Sequence, residues 1–133
     1  MSAFGGGTVT GVGKVLNREL PGVKVIGVEP ASSPLLSEGR AGKHKIQGIV
    51  ANFIPSLLDV KVMDKVMTVS DEEAFAYARD LAKTEGLLCG ISSGAALCAA
   101  CKIAADGDNK DKNIVVVFPD TGERYLSTDL YSL

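Results

Sequence analysis

The chain has 133 residues, 46% of them hydrophobic and 23% charged, with a net charge of −2. These values describe one ordinary globular domain with a real core and exclude a disordered chain. Lys and Arg are scattered rather than gathered on a basic face, so nucleic acid is not expected as a partner. No apolar run has the length of a membrane helix, so no membrane partner is expected. Met1 to Phe4 does not begin a basic region followed by an apolar core, so no leader is expected. Three cysteines, an odd number, argue against a disulfide framework and for a reducing, cytoplasmic setting.

The chain opens on Gly5-Gly6-Gly7-Thr8-Val9-Thr10-Gly11. Glycines admit backbone angles and close approaches that a Cβ would block. A helical pattern follows through Val9, Val12, Val15, Leu16 and Leu20, and ends at Pro21-Gly22. A glycine loop opening a helix offers unpaired N–H groups and the positive end of the dipole, which suits a phosphate. An ordinary glycine-rich turn would read the same way. Val23 to Val28 is a β-branched run of strand length ending in Glu29-Pro30. Loop, helix, strand and a following acid also outline a dinucleotide-binding unit, with Glu29 on a ribose hydroxyl. Thr10 stands where that motif's third glycine belongs.

Residues 31 to 57 are rich in Ser, Pro, Gly and Lys and read mostly as loop. His44, the only histidine, sits there as a surface residue. The more apolar stretch from Gln47 to Pro55 could line a cleft. Val66 to Val69 reads as a second strand. Ser70-Asp71-Glu72-Glu73 matches a capping box. Ala74, Phe75, Ala78, Leu81 and Ala82 give the apolar stripe of the next helix. Asp71, Glu72, Arg79 and Asp80 form its solvated face, and Gly86 ends it.

Leu87 to Ile91 reads as a short buried segment leading into Ser92-Ser93-Gly94-Ala95-Ala96, a helix start built of small residues. Such a start lets a flat ligand or another backbone come close, with serines as caps or direct hydrogen-bonding groups. Cys98 and Cys101 form a Cys-x-x-Cys inside an alanine-rich helix, with no second pair nearby. They are expected to be buried as small hydrophobes rather than to hold a metal. Ile114 to Phe118 is the strongest strand signal, apolar throughout like a buried parallel strand. Pro119-Asp120-Thr121-Gly122 follows at its C-terminal end, where open α/β sheets place ligand contacts.

Four stretches in this order and spacing resemble one family. They are Gly6 to Gly11, Gly48-Ile49 within Lys45 to Pro55, Gly90 to Ala96, and Gly122 to Thr128. Val25 to Pro30 and Glu85 to Leu88 fit the same usage. Together they resemble cysteine synthase (O-acetylserine sulfhydrylase), a fold type II pyridoxal-phosphate enzyme, from about Gly5 to Asp129. The implied fold is α/β, a three-layer sandwich with a mostly parallel sheet flanked by helices, here incomplete. The resemblance covers only the C-terminal portion of the family.

The resemblance implies roles. Gly5, Gly6, Gly7 and Thr8 form the cup for the phosphate of pyridoxal 5'-phosphate. Ser92 meets the pyridine nitrogen, Pro119 and Asp120 pass near the pyridine edge, and Gly48 borders the substrate. A serine cannot fully protonate the nitrogen as a carboxylate would, which suits β-elimination better than transamination. The implied reaction replaces the acetate of O-acetylserine with sulfide to give cysteine. A homodimer, and serine acetyltransferase as a partner, are implied as well.

The chain also departs from the family. Phe4-Gly5-Gly6-Gly7-Thr8 stands where the family reads Gly-Thr-Gly-Gly-Thr, and Val50 and Asn52 replace glycines on the substrate side. No lysine lies in the context of the family's Schiff-base lysine, and the Ser/Thr/Asn-rich substrate loop is absent. The chain alone is therefore expected to be inactive. The alternatives are a binding module pairing with a separate N-terminal half or with serine acetyltransferase, a cystathionine β-synthase-like enzyme, and a dinucleotide-binding domain.

Overall fold

A computed structural model of the chain describes residues 6–49 and 53–131. Helix α1 (Gly7–Glu19) starts after Gly6, whose φ of 77° lies in the left-handed region. A Cβ on Gly6 would also stand 2.6–2.8 Å from the Leu58 backbone and Cβ, so glycine is required there twice over. One side of α1 packs inward through Val9, Thr10 and Gly13. Polar bonds fix it to the segment around Asp59 and Val62. The Asp59 N–H donates to Thr10 Oγ1 at 3.0 Å, and Asn17 Nδ2 donates to the Val62 carbonyl at 3.2 Å.

Strands β1 (Ile26–Pro30) and β2 (Lys65–Val69) pair in parallel, with Ile26 opposite Lys65 and Pro30 opposite Val69. From Gly27 to Pro30 every residue of β1 is buried, as in a parallel strand covered on both faces. Asp64 holds the entry to the ladder. Its carboxylate accepts from the Val25 N–H at 2.8 Å and from Lys24 Nζ at 3.0 Å, and these bonds, the backbone one first, hold its carboxyl below the usual range. Between the strands lies the short helix α2 (Leu35–Glu38).

Helix α3 (Asp71–Glu85) begins with the expected capping box. Ser70 Oγ accepts from the Glu73 N–H at 3.1 Å, and Glu73 Oε2 accepts from the Ser70 N–H at 3.0 Å. Gly86 closes the helix at φ 69°. Ser70→Ala is expected to lower the unfolding free energy by about 1 kcal/mol. A urea midpoint equal to that of the parent chain would refute the cap. Helix α4 (Ile91–Ala104) lies across α3, close enough that a Cβ on Gly94 would stand 2.0 Å from the Ala74 carbonyl oxygen. Their contact joins Val28, Val69, Ile46, Tyr125 and Leu130 in the main core.

Several expectations are corrected. The first strand is displaced to Ile26–Pro30, because its ladder begins only beyond the Asp64 clamp. Ile114 to Phe118 lies in no sheet, since no described strand flanks it, and Val115 is 83% exposed. Leu87 and Leu88 are exposed too, so burial begins only at Cys89. On α1, Val12, Val15 and Leu20 face outward, because only the Val9–Thr10–Gly13 side meets the core. Cys98 is buried, and burial pushes its thiol up, whereas Cys101 is exposed. Arg79 does not simply stand in solvent. Its guanidinium donates to the carbonyls of Asp129 and Leu130 and ties the C-terminal segment to α3. Asp71 is likewise engaged, accepting from the Lys45 N–H at 2.8 Å. Among the described residues no helix is long and apolar enough to cross a membrane.

Candidate functional site

The amino end of α1 has a geometry that suits an anion. Gly7 and Thr8 are exposed, no side chain caps the helix, and its first turn holds no acid. Helix geometry leaves the first N–H groups without acceptors in their own helix; the ladder begins with Thr10 N–H on the Gly6 carbonyl at 3.0 Å. Unpaired donors at the positive end of a dipole are what a phosphate group requires. Gly5, Phe4, Val50 and Asn52 lie outside the described residues.

The amino end of α4 is the second half of the site. Gly90 is its N-cap, and no side chain caps it. Ser92 and Ser93 are both fully buried. Their hydroxyls differ in one respect. Ser93 Oγ donates to Asp120 Oδ1 at 3.3 Å, whereas Ser92 Oγ meets no hydrogen-bond partner among the described residues. An unmatched buried hydroxyl costs about 1–3 kcal/mol, so such groups are kept where something else pairs with them.

Asp120 organises this end. Besides Ser93, its carboxylate accepts from the Tyr125 hydroxyl at 2.5 Å. Burial, then the Asp120 carboxylate, pushes the Tyr125 phenol up to about 12. A Cβ on Gly90 would meet both Asp120 oxygens at 2.4 Å and the Tyr125 ring at 2.6 Å, so only glycine fits beneath them. The segment is held in place by the Gly122 N–H on the Leu88 carbonyl at 2.8 Å and by the bridge between Cys89 and Thr121. Pro119 itself is exposed.

Gly48, at φ 82°, lies on the rim of a cleft of about 720 Å³ whose walls include His44, Ile49, Phe53, Phe75 and Ile91. Ile91 directly precedes Ser92, so the cleft adjoins the start of α4. His44 is half-buried in this wall rather than out on the surface. The segment after Phe53 runs on to α1, with Leu57 at 3.6 Å from a Cβ position on Gly7 and Leu58 against Gly6. One stretch, 53–58, thus touches both the cleft and the glycine loop. Of the lysines, Lys45 lines the cleft, while Lys14 pairs with Asp59 and Lys102 with Glu73.

Glu29 is not available to a ribose. It is 1% exposed, and its carboxylate accepts from the N–H groups of Leu36 at 2.7 Å and Ser37 at 3.0 Å and from the Ser37 hydroxyl. The dinucleotide outline loses its acid in this way. Residue patterns alone did not reveal Tyr125, Ser93, Gly90 or Arg79 as supports of the site. Only the pairing of Gly-x-Ser-Ser at a helix start with a distant Asp and Tyr could have hinted at them.

Comparison with known proteins shows the family. Residues 1–120 match the model of the family described as pyridoxal-phosphate dependent enzyme. Cysteine synthase B of Campylobacter jejuni is 53% identical over 133 residues, 99% of this chain and 44% of that protein. Cysteine synthase of Staphylococcus aureus is 49% identical over 127 residues, 96% of this chain and 41% of that one. The crystal structure of the cysteine synthase of Entamoeba histolytica superposes with a TM-score of 0.95 at 42% identity, covering 98% of this chain and 38% of the other. The chain therefore spans less than half the length of these relatives. The match runs through the glycine loop, the serine pair and Asp120 alike, and the chain belongs to the pyridoxal-phosphate-dependent enzyme family.

Proposed function

We propose that this chain is the cofactor-holding portion of a cysteine synthase, the enzyme that converts O-acetylserine and sulfide to cysteine and acetate. The observation that carries the reading is Ser92, a fully buried hydroxyl with no partner among the described residues, at the start of a helix in the position matched to a pyridine nitrogen. The free N–H groups of Gly7 and Thr8 suit the phosphate, with Gly6 and the matched Gly5 shaping the turn. When bound, pyridoxal phosphate supplies an electron sink for breaking bonds at the substrate's α and β carbons. The protein's part is to hold and orient. Ser92 offers a neutral hydroxyl to the ring nitrogen, which leaves that sink weak and favours elimination and replacement. Gly48 keeps the cleft rim free of a side chain where an amino-acid substrate enters. The Schiff-base lysine, by this reading, does not belong to the 133 residues, and the chain alone is inactive.

The test is equilibrium binding of pyridoxine 5'-phosphate, which has no aldehyde and cannot mark lysines at random. Ser92→Ala is expected to weaken that binding about fivefold, the worth of one hydrogen bond. The same change is expected to stabilise the empty chain by about 1 kcal/mol, because it removes an unmatched buried hydroxyl. A variant both less stable and equally good at binding would refute the assignment. Borohydride treatment with pyridoxal phosphate, followed by intact-mass and peptide-mass analysis, checks the lysine: a single specific adduct, on Lys45 for example, would place the anchor in this chain.

The exposed apolar run Ile114 to Val115 favours a second reading, a module that pairs with another polypeptide carrying the remainder of the fold. Light scattering of the purified chain, alone and mixed with the remaining segment of a relative, separates a lone monomer from such a pair. A homodimer, and docking to serine acetyltransferase, belong to the same set of proposals for the complete enzyme.

A further inference from the structure

Two adjacent serines begin α4, equally buried, yet only one has a free hydroxyl. The difference lies outside the helix. Asp120 sits over the first turn with one oxygen on the Ser93 hydroxyl at 3.3 Å and the other on the Tyr125 hydroxyl at 2.5 Å. Gly90 supplies the floor, since a Cβ there would stand 2.4 Å from either carboxylate oxygen. Tyr125 is in turn fixed from behind. Its carbonyl accepts from the Thr128 N–H at 3.0 Å and from the Thr128 hydroxyl at 2.6 Å, and Arg79 of α3 grips the carbonyls of Asp129 and Leu130 just beyond. The half-buried carboxylate is thus held from two sides, by Ser93 and by Tyr125.

We propose that Asp120 is a positioning residue that selects which serine of the pair meets the ring of the cofactor. By engaging Ser93 it keeps that hydroxyl turned away and locks the first turn of α4, so that Ser92 presents the one unspent hydroxyl. Without Asp120 the two serines become competitors. Ser93 is left as a second unmatched hydroxyl, the turn loses its tie to Tyr125, and Ser92 is no longer held in one orientation. The loss would appear at the ring and not at the phosphate, because the described phosphate donors belong to α1 and, among the described residues, share no bond with this network. This inference rests on the reading of the site as a pyridoxal-phosphate cradle.

The experiment measures two probes on the full chain, pyridoxine 5'-phosphate and inorganic phosphate. Asp120→Ala is expected to weaken pyridoxine 5'-phosphate about fivefold, and the isosteric Asp120→Asn, which keeps one acceptor oxygen, by less, with inorganic phosphate unchanged. Combined with Ser92→Ala, neither should weaken it further, since both act on the same bond. Gly90→Ala provides the check in which the carboxylate is kept but displaced, and it should reproduce the loss. Equal weakening of both probes would mean that the segment only supports the fold, and overturns the proposal. So would additive losses with Ser92→Ala, or tight ring binding by the Asp120 variants. If the parent chain binds phosphate but gains nothing from the ring, the reading of the site as a cofactor cradle falls, and this inference with it.

Discussion

Replacing Gly94 with alanine is expected to lower the unfolding free energy by about 3 kcal/mol, the upper end of what overpacking costs, and the melting temperature by roughly 10 °C. Alanine is the better helix former by about 1 kcal/mol, so propensity alone predicts the opposite sign. Packing decides the matter. The new Cβ would stand 2.0 Å from the Ala74 carbonyl oxygen and 2.7 Å from the Ala78 nitrogen, both main-chain atoms of α3 that no rotamer change can move. The helices must separate, and α4 carries Ser92 only two residues before the clash. Gly11→Ala is the control: its Cβ would meet nothing within 4 Å on the exposed side of α1, and it should stabilise by up to about 1 kcal/mol. Chemical denaturation of both variants decides it. If Gly94→Ala were as stable as Gly11→Ala, the close crossing of α3 and α4 would be wrong.

That crossing also explains what could be read in advance. Local signals survived intact where a few neighbouring residues determine the outcome. The Ser70–Glu73 box and the Gly86 stop are each satisfied within one turn of helix. Strand and burial assignments failed where the answer depends on a neighbour. Ile114 to Phe118 has the composition of a central strand, but a strand exists only with a partner, and no described strand lies beside it. Val12 and Val15 have helical spacing, but their side of α1 meets no core among the described residues. The site divides in the same way. The residues proposed to meet a ligand, Gly6 to Thr8, Gly48 and Ser92, carry motifs that could be matched one by one. The residues that hold them, Tyr125, Ser93, Arg79 and Leu58, act through contacts between distant segments, and no spacing announces these. Asp120 stands out in the sequence by its place after the Ile114 to Phe118 run, but its bonds to Ser93 and Tyr125 are contacts that this place does not announce.

Glu29→Ala should be nearly as costly as the Gly94 change, about 3 kcal/mol, because hydrogen bonds to a charged group are worth about 1.5–3 kcal/mol each and some of the freed donors will regain water. The carboxylate lies at 1% exposure in β1 and ends on the Leu36 and Ser37 N–H groups and the Ser37 hydroxyl. These are the first amides of α2, a helix of four residues that is too short to hold its shape alone. Removing the acceptor frees that turn. Glu29→Gln keeps one acceptor oxygen and nearly the same volume, so it should cost about half as much. Urea unfolding of the two variants gives the order directly, and a loss below about 1 kcal/mol for alanine would show that the carboxylate is not a structural anchor. The same pair of variants tests the rejected ribose contact independently. A nicotinamide dinucleotide should not bind the parent chain, and measurable binding that Glu29→Ala abolishes without unfolding the protein would restore the dinucleotide reading in place of the pyridoxal-phosphate one.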